Sequence, residues 1–163
     1  MGAAGRRAVE LARAAGAVVS VDLASVGPLL EHGRRAAQDL ISTVTPEFLF
    51  ATAAEADALL GGGPVERLLD SANIAVVKRG SKGATVLARS RGERLRFEVA
   101  TVPVDAADST GAGDAFDAGF LVGWFAAKAA GHALPAALHR AALAGHRAAA
   151  RQLSSPREEL PLG

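Results

Sequence analysis

The chain of 163 residues contains no cysteine and no tyrosine, and it has one methionine and one tryptophan. Without cysteine it can form neither a disulfide nor a thiolate metal site. The apolar runs are too short and too interrupted to span a bilayer, and the N-terminus has no apolar signal core. Because a chain without disulfides suits a reducing compartment, we expect a cytoplasmic protein.

An excess of charge of either sign is also lacking. Eighteen lysines and arginines balance seventeen acidic residues, which leaves a net charge of +1. The arginines outnumber the lysines 15 to 3 and are scattered along the chain, so they predict no basic patch. We therefore expect neither nucleic acid nor a membrane surface as a partner. Half of the residues are apolar, and this length suffices for one buried core, which predicts a single domain over 1–163.

Helical and strand patterns alternate along the chain. Short apolar runs rich in β-branched or aromatic residues predict strands at 17–23, 48–51, 74–80, 84–90 and 94–100. Apolar residues at helical spacing predict helices at 6–16, 28–42, from 52 onward, around 65–72, 111–130 and 134–152. This order is typical of the α/β class, with a mostly parallel sheet covered by helices and an antiparallel hairpin near 84–99.

The stretch DSTGAGDAFDAGFL, residues 108–121, is the most specific part of the sequence. Asp108 and Ser109 occupy the positions expected of a helix N-cap, and 111–113 would form the first helical turn. A helix N-terminus has unpaired N–H groups and a partial positive charge, and small side chains let an anion approach that backbone closely. The carboxylate of Asp114 on the same turn could then face an attacking hydroxyl.

A structural interpretation of the same stretch is equally compatible with its spacing. Small residues also permit close helix packing, and an acidic residue in the first turn favours the helix dipole. Phe116, Phe120 and Trp124, at i, i+4 and i+8, are predicted core residues under either interpretation. The stretch is neither a Walker A loop, since no G-x-x-x-x-G-K-[ST] occurs, nor a dinucleotide fingerprint, since the third glycine is missing.

DSTGAGDAFDAGFL resembles, at every constrained position, the C-terminal signature of the ribokinase-like (PfkB) family of carbohydrate kinases. The resemblance implies a three-layer αβα fold and ATP-dependent phosphorylation of a sugar or nucleoside hydroxyl. It implies Asp114 as the general base. The N–H groups of Gly111, Ala112, Gly113 and Asp114 would form the anion hole for the transferring phosphoryl group.

Two further segments are similar to the nucleotide-binding parts of that family. In VVKRGSKGATVL, residues 76–87, the resemblance implies that Lys78, Gly80 and Gly83 line the phosphates and ribose of ATP. Taken alone, this segment could be an ordinary hairpin turn. The small residues of the last predicted helix, Ala142 among them, would pack against the adenine.

The metal positions implied by the resemblance depart in part from the family pattern. FATAAEADALL is similar to the N-x-x-E segment, whose glutamate organises Mg²⁺ through water. Glu55 takes the glutamate position, while Thr52 replaces the asparagine. The same pair has the form of a capping box, which is the structural alternative. Asp108 and Thr110 match positions that often hold a monovalent cation such as K⁺, although helix capping needs no ion.

The resemblance also bears on the aspartate at the end of one strand and on how much of the family fold this chain represents. VVSVDLAS looks like a family strand whose aspartate, here Asp22, lies near the phosphates, with Ala24 in place of the usual polar partner. Only the C-terminal part of the family fold is represented, so the fold would be truncated on its N-terminal side, without the region that selects the sugar. We expect an open apolar sheet edge, poor solubility, and rescue by a complementing N-terminal chain or a homodimer. The functional alternative is a nucleotide-binding fragment or one half of a split kinase, inactive alone.

Overall fold

The computed structural model describes residues 2–90, 92–106 and 108–154. Contacts between residues divide the chain into two compact units. The first comprises the residues up to 80 together with 84–98, and the second comprises 81–83 together with the residues from 99 onward. The single domain expected from the chain length stays a prediction, and each unit is described by itself.

The first unit is built on a five-stranded sheet with the order β1-β2-β3-β4-β5. The strands are β1 (Ser20–Asp22), β2 (Phe48–Thr52), β3 (Ile74–Lys78), β4 (Ala84–Ser90) and β5 (Glu93–Val99). β1, β2 and β3 pair in parallel, whereas β3 and β4 are antiparallel. β4 and β5 are hydrogen-bonded neighbours at the position predicted for the hairpin. The predicted α/β class is confirmed, and the described sheet is mixed, with parallel pairing confined to β1–β3.

Four helices belong to the first unit: α1 (Ala3–Ala14), α2 (Val26–Leu30), α3 (Arg34–Val44) and α4 (Ala53–Leu60). A 3₁₀ helix, Val65–Asp70, precedes β3. Residues of α3, α4, the 3₁₀ helix and β2–β4 form one apolar cluster on the sheet; its buried members include Ala37, Ile41, Leu49, Ala56, Leu59, Leu68, Leu69, Ala75 and Leu87. β2 and β3 are buried along almost their whole length, as expected of continuous apolar parallel strands.

The prediction of a single helix over 28–42 is wrong. The structure has two helices there, because the chain turns before Gly33, whose φ of +88° is incompatible with an α-helix. α3 begins directly after this glycine.

The second unit contains two long helices, α5 (Ala112–Ala129) and α6 (Leu134–Ser154), within two residues of their predicted bounds. Their backbones approach closely through glycines. A Cβ on Gly119 or Gly123 would lie 2.6 Å from the Cβ of Ala148 or Ala144, and one on Gly145 would lie 2.9 Å from Phe116. Phe116, Phe120 and Trp124 are buried, which confirms the predicted core positions. Among all the described helices, none is both long and apolar enough to cross a membrane.

Candidate functional site

Three polar residues end the parallel strands of the first unit. Asp22 ends β1, Thr52 ends β2 and Lys78 ends β3, and Thr52 lies opposite Lys78 in the β2–β3 register. Because parallel strands point the same way, these residues lie at one edge of the sheet, the carboxyl edge. In open α/β sheets this is the edge at which ligands bind.

An ion pair crosses this carboxyl edge. The Lys78 ammonium lies 2.6 Å from Oδ2 of Asp22, and it also lies 6.0 Å from the ring centroid of Phe50 on the intervening strand β2. The two side chains are 11% and 26% exposed, so solvent screens the pair only in part. The Lys78 ammonium is therefore already paired with a carboxylate before any anion binds at this edge.

The other oxygen of Asp22 shapes the turn that follows β1. Oδ1 accepts a hydrogen bond of 2.9 Å from the backbone N–H of Ala24. Ala24 has a φ of +55°, a left-handed conformation that a residue with a Cβ rarely adopts, and the N–H of Ser25 donates to Leu23 O at 2.6 Å. Such strain is maintained only where neighbouring contacts impose it, and it clusters at functional sites. Asp22 is thus a structural anchor of this edge as well as the partner of Lys78.

Thr52 and Glu55 form the predicted capping box at the start of α4. The Thr52 hydroxyl accepts from the Glu55 N–H at 3.3 Å, and Oε2 of Glu55 accepts from the Thr52 N–H at 2.7 Å. Glu55 is buried, at 7% exposed. The structural alternative is therefore confirmed, and the metal role of Glu55 stays a prediction.

A Mg²⁺ ion carried by a nucleotide would need few ligands from the protein itself. The described residues contain no group of three or more His, Cys, Asp or Glu side chains arranged to hold a metal ion. Mg²⁺ retains several waters and is usually bound by one or two carboxylates together with substrate phosphates, which needs no such group. The carboxylate of Glu55 is the one singled out for this role by the sequence.

Gly80 and Gly83 belong to different units, and different structural constraints favour glycine at the two positions. Gly80 begins a 3₁₀ helix, Gly80–Lys82, has a φ of +57° and is surrounded by open space. Gly83, with a φ of +86°, lies against the backbone of Val99 and Ala100; a Cβ there would overlap the carbonyl oxygen of Val99. Close packing of two backbone segments therefore accounts for Gly83, while the predicted nucleotide contacts of both glycines stay predictions.

The start of α5 differs from the predicted cap. The N-cap residue is Gly111, with a φ of +77°, and no side chain caps the helix. Asp108 and Ser109 do not cap it, because the Asp108 carboxylate accepts from the N–H of Thr110, at 2.8 Å, in a local turn. The left-handed Gly111 then sets the direction of the helix. The cation role predicted for Asp108 and Thr110 stays a prediction.

The amides predicted to form the anion hole are mostly available. Within the described residues, the N–H groups of Gly111, Gly113 and Asp114 donate to no backbone carbonyl. The N–H of Ala112 donates to Ser109 O at 3.2 Å. Asp114 is exposed in the first turn of α5. Amides without a backbone acceptor among the described residues, a positive helix end and a solvent-facing carboxylate could together bind an anion and accept a proton.

Two residues of α6 concern the second unit: Ala142, for which an adenine contact is predicted, and His146, which is not part of the predicted site. Ala142 is fully buried, so in this conformation it presents no surface to an adenine, and that contact stays a prediction. His146 lies one turn further along α6. Its Nε2 is 3.1 Å from Val99 O, and its ring meets the Phe116 ring edge-on with 5.1 Å between centroids. Burial lowers the pKa of His146, whereas the bond to Val99 acts in the opposite direction.

The Lys78–Asp22 pair is the contact that sequence reasoning missed. Each residue was singled out separately, and the available signal was their shared position at the ends of strands that pair in parallel. The order of strands, in which one strand separates the two, could not be deduced from the sequence pattern.

The model of a protein family described as pfkB family carbohydrate kinase matches residues 2–158 of the chain. Three solved structures illustrate the likeness. The adenosine kinase from Sinorhizobium meliloti is 27% identical with a TM-score of 0.71, over 92% of this chain and 43% of that one. The PfkB protein from Polaromonas sp. JS666 is 33% identical with a TM-score of 0.61, over 89% of this chain and 47% of that one.

The third structure is an E. coli protein in complex with ATP and Mg²⁺, 25% identical with a TM-score of 0.67. It is matched over 94% of this chain and 47% of its own length. The chain thus spans less than half the length of each of the three structures.

Proposed function

Because the chain belongs to the pfkB family of carbohydrate kinases, we propose that it carries the phosphoryl-transfer part of an ATP-dependent kinase that acts on a hydroxyl group of a sugar or nucleoside. The observation that carries the proposal is the start of α5, where the amides of Gly111, Gly113 and Asp114 have no backbone acceptor among the residues that the structure describes and the Asp114 carboxylate is exposed.

In the proposed reaction, these amides donate hydrogen bonds to the oxygens of the transferring phosphoryl group as its charge redistributes. Phosphoryl transfer relies chiefly on positioning and charge stabilisation, and fixed donors supply both without reorganising. Asp114 accepts the proton of the attacking hydroxyl. The N–H of Ala112, already bound to Ser109 O, takes no part, which reduces the four predicted donors to three.

The nucleotide side of the proposal concerns the carboxyl edge of the first unit. Lys78 and Gly80 would contact the nucleotide there, and Glu55 would order waters of a Mg²⁺ ion. The ion would neutralise phosphate charge when bound. The ATP and Mg²⁺ held by the related E. coli protein support this part of the proposal. The cytoplasmic location expected from the sequence stays a prediction.

A second candidate function is nucleotide binding without transfer. It is favoured by the chain's span of less than half of each matched structure, since an acceptor site can lie in the remaining half. Calorimetric titration with Mg-ATP together with an ADP-release assay separates the two candidates. Binding without turnover on any sugar or nucleoside of a panel, fructose, ribose and adenosine included, supports the second.

The base assignment is tested by Asp114→Asn, with Asp117→Asn one turn further along α5 as the matched control. Asparagine keeps the shape of the side chain and cannot accept the proton, so we expect kcat to fall at least about 100-fold. Mg-ATP binding should be nearly unchanged, and the control should keep its activity. Equal turnover by Asp114→Asn and wild type would remove Asp114 from the mechanism.

A further inference from the structure

The Lys78–Asp22 ion pair spans the carboxyl edge of the first unit. Asp22 ends β1 and Lys78 ends β3, and the lysine side chain reaches across the intervening strand β2. Its ammonium lies 2.6 Å from Oδ2 of Asp22 and 6.0 Å from the centroid of the Phe50 ring. The positive charge at the end of β3 is thus held over β2 by a carboxylate that belongs to β1.

The two partners differ in how firmly they are fixed. Oδ1 of Asp22 accepts a hydrogen bond of 2.9 Å from the N–H of Ala24, so the backbone of the following turn anchors the carboxylate. Lys78 reaches Asp22 through a flexible stem of four carbons, and its ammonium has three donors that can rotate toward a new acceptor. A rearrangement at this edge would consequently move the ammonium and leave the carboxylate in place.

The charges of the pair oppose the binding of an anion. The Asp22 carboxylate is within hydrogen-bond distance of the ammonium and has the same sign of charge as a phosphate oxygen. The two side chains are mostly buried, and like charges at such a position repel each other more strongly than in bulk water. A phosphate group that binds Lys78 must therefore compete with Asp22 for it.

We propose that Asp22 is a positioning residue that competes with the nucleotide phosphates for Lys78. When a nucleotide binds, the ammonium leaves Oδ2 of Asp22 and donates to a phosphate oxygen, while Asp22 stays bound to the N–H of Ala24. No covalent bond changes and no proton is transferred, because one ion pair is exchanged for another. This exchange rests on the proposed function, in which Lys78 contacts the nucleotide, and does not involve Asp114.

A purely structural role of Asp22 predicts the opposite effect of a substitution. If the ion pair only joined β1 to β3 or oriented Lys78, removing the carboxylate charge would weaken nucleotide binding or leave it unchanged. Competition predicts tighter binding, because the phosphate then meets an ammonium without a rival carboxylate. The sign of the change in affinity separates the two roles.

The test is Asp22→Asn, with ATP titrated in the presence of EDTA so that no metal ion contributes. Asparagine keeps an oxygen that can accept from the N–H of Ala24 and has no charge with which to hold Lys78. We expect the variant to bind ATP at least about 10-fold more tightly than wild type does.

Asp70→Asn is the matched control. Asp70 also pairs with a basic residue, Arg94 at 3.0 Å, but it lies in the 3₁₀ helix before β3 and not at the end of that strand. The substitution changes the net charge by the same amount and should leave the affinity for ATP unchanged.

A second measurement follows the ammonium in the wild-type protein. The chain has only three lysines, Lys78, Lys82 and Lys128, so their side-chain ¹⁵N NMR signals can be assigned with single Lys→Arg variants. Saturating ATP should shift the signal of Lys78 and leave that of Lys128 in place. This measurement decides the question even if Asp22→Asn does not fold.

Three results would overturn the exchange. One is an affinity of Asp22→Asn for ATP that equals or falls below that of wild type. Another is an equal gain in Asp70→Asn, which would assign the effect to net charge. The third is a Lys78 signal that saturating ATP leaves unchanged. Where wild type binds ATP, these results leave the proposed function intact, whereas binding by neither wild type nor Asp22→Asn, with or without Mg²⁺, would contradict both.

Discussion

Gly80 and Gly83 both have positive φ angles, yet their surroundings differ. Open space surrounds Gly80, whereas a Cβ on Gly83 would overlap Val99 O and lie 3.0 Å from the Cα of Ala100. The residue type at 80 is therefore constrained by the backbone angle alone, and at 83 by the angle and by another backbone segment.

Gly83→Ala should consequently destabilise the protein more than Gly80→Ala. For Gly80→Ala we expect about 1 kcal/mol, the cost of a left-handed alanine. For Gly83→Ala we expect about 2–4 kcal/mol, because backbone atoms must also move apart. Urea denaturation of both variants measures the difference. Equal losses would show that the Val99 segment moves aside freely.

At this scale the sequence indicated candidate residues more readily than their contacts. The amides at 111–114 and the acid at 114 could be proposed because backbone donors and small side chains are read directly from residue types, and their roles stay predictions. The cap could not be assigned correctly, because Asp108 can bond either to a helix or to the nearer Thr110 N–H, and this choice depends on the left-handed Gly111.

Between elements of the second unit, His146 joins α6 to α5 and to Val99. Its ring nitrogen is within hydrogen-bond distance of Val99 O, and the ring packs on Phe116 of α5. Burial holds the pKa of this half-buried histidine below its ordinary value of 6.5.

This lowered pKa predicts a pH dependence of stability. The unfolded chain takes up the proton at the ordinary pKa, before the folded chain does, so protonation favours unfolding. The contribution of His146 to the free energy of unfolding is complete above about pH 6.5 and decreases as the pH falls below that value, until the folded form is protonated as well.

Urea denaturation between pH 8 and pH 5 measures this effect. His146→Gln retains a donor without titrating and should show a flatter dependence than wild type. His139→Gln, two turns earlier on α6, is the control. A wild-type slope that persists unchanged in His146→Gln would assign the loss of stability to other groups.

Elements were predicted well where a single periodicity dominates. Residues 48–51 and 74–77 are continuous apolar runs, and α5 and α6 are long and regular, so the type and approximate ends of these elements follow from the pattern. The break between α2 and α3 was missed because the apolar spacing continues across Gly33, and a lone glycine within such a pattern is often tolerated in a helix.

For the molecule as a whole, nucleotide binding should appear as added thermal stability. A ligand that binds only the folded form at 100 times its Kd contributes about 2.7 kcal/mol, which for a chain of this size raises Tm by about 5–10 °C. We expect this rise with Mg-ATP and none with Mg²⁺ alone. Gly111→Ala should reduce the rise, because the added Cβ strains the left-handed residue beside the amides proposed to bind the phosphate.

Absence of a rise in wild type, or an equal rise in Gly111→Ala, would contradict the proposed role of the α5 N-terminus. The comparison is of the ligand-induced change in Tm within each protein, so a lower starting Tm of Gly111→Ala does not affect it.

The helix α1 packs differently from α3, α4, α5 and α6, each of which buries several residues. None of its residues is buried, and Arg13 attaches it by donating to Val44 O and, at 2.6 Å, to Thr45 Oγ1 at the end of α3. Selection for core packing can therefore act on almost none of its side chains. We therefore expect the outward positions of α1 to tolerate substitution more readily than Arg13 does, so that one guanidinium rather than an apolar signature would mark this segment among distant relatives.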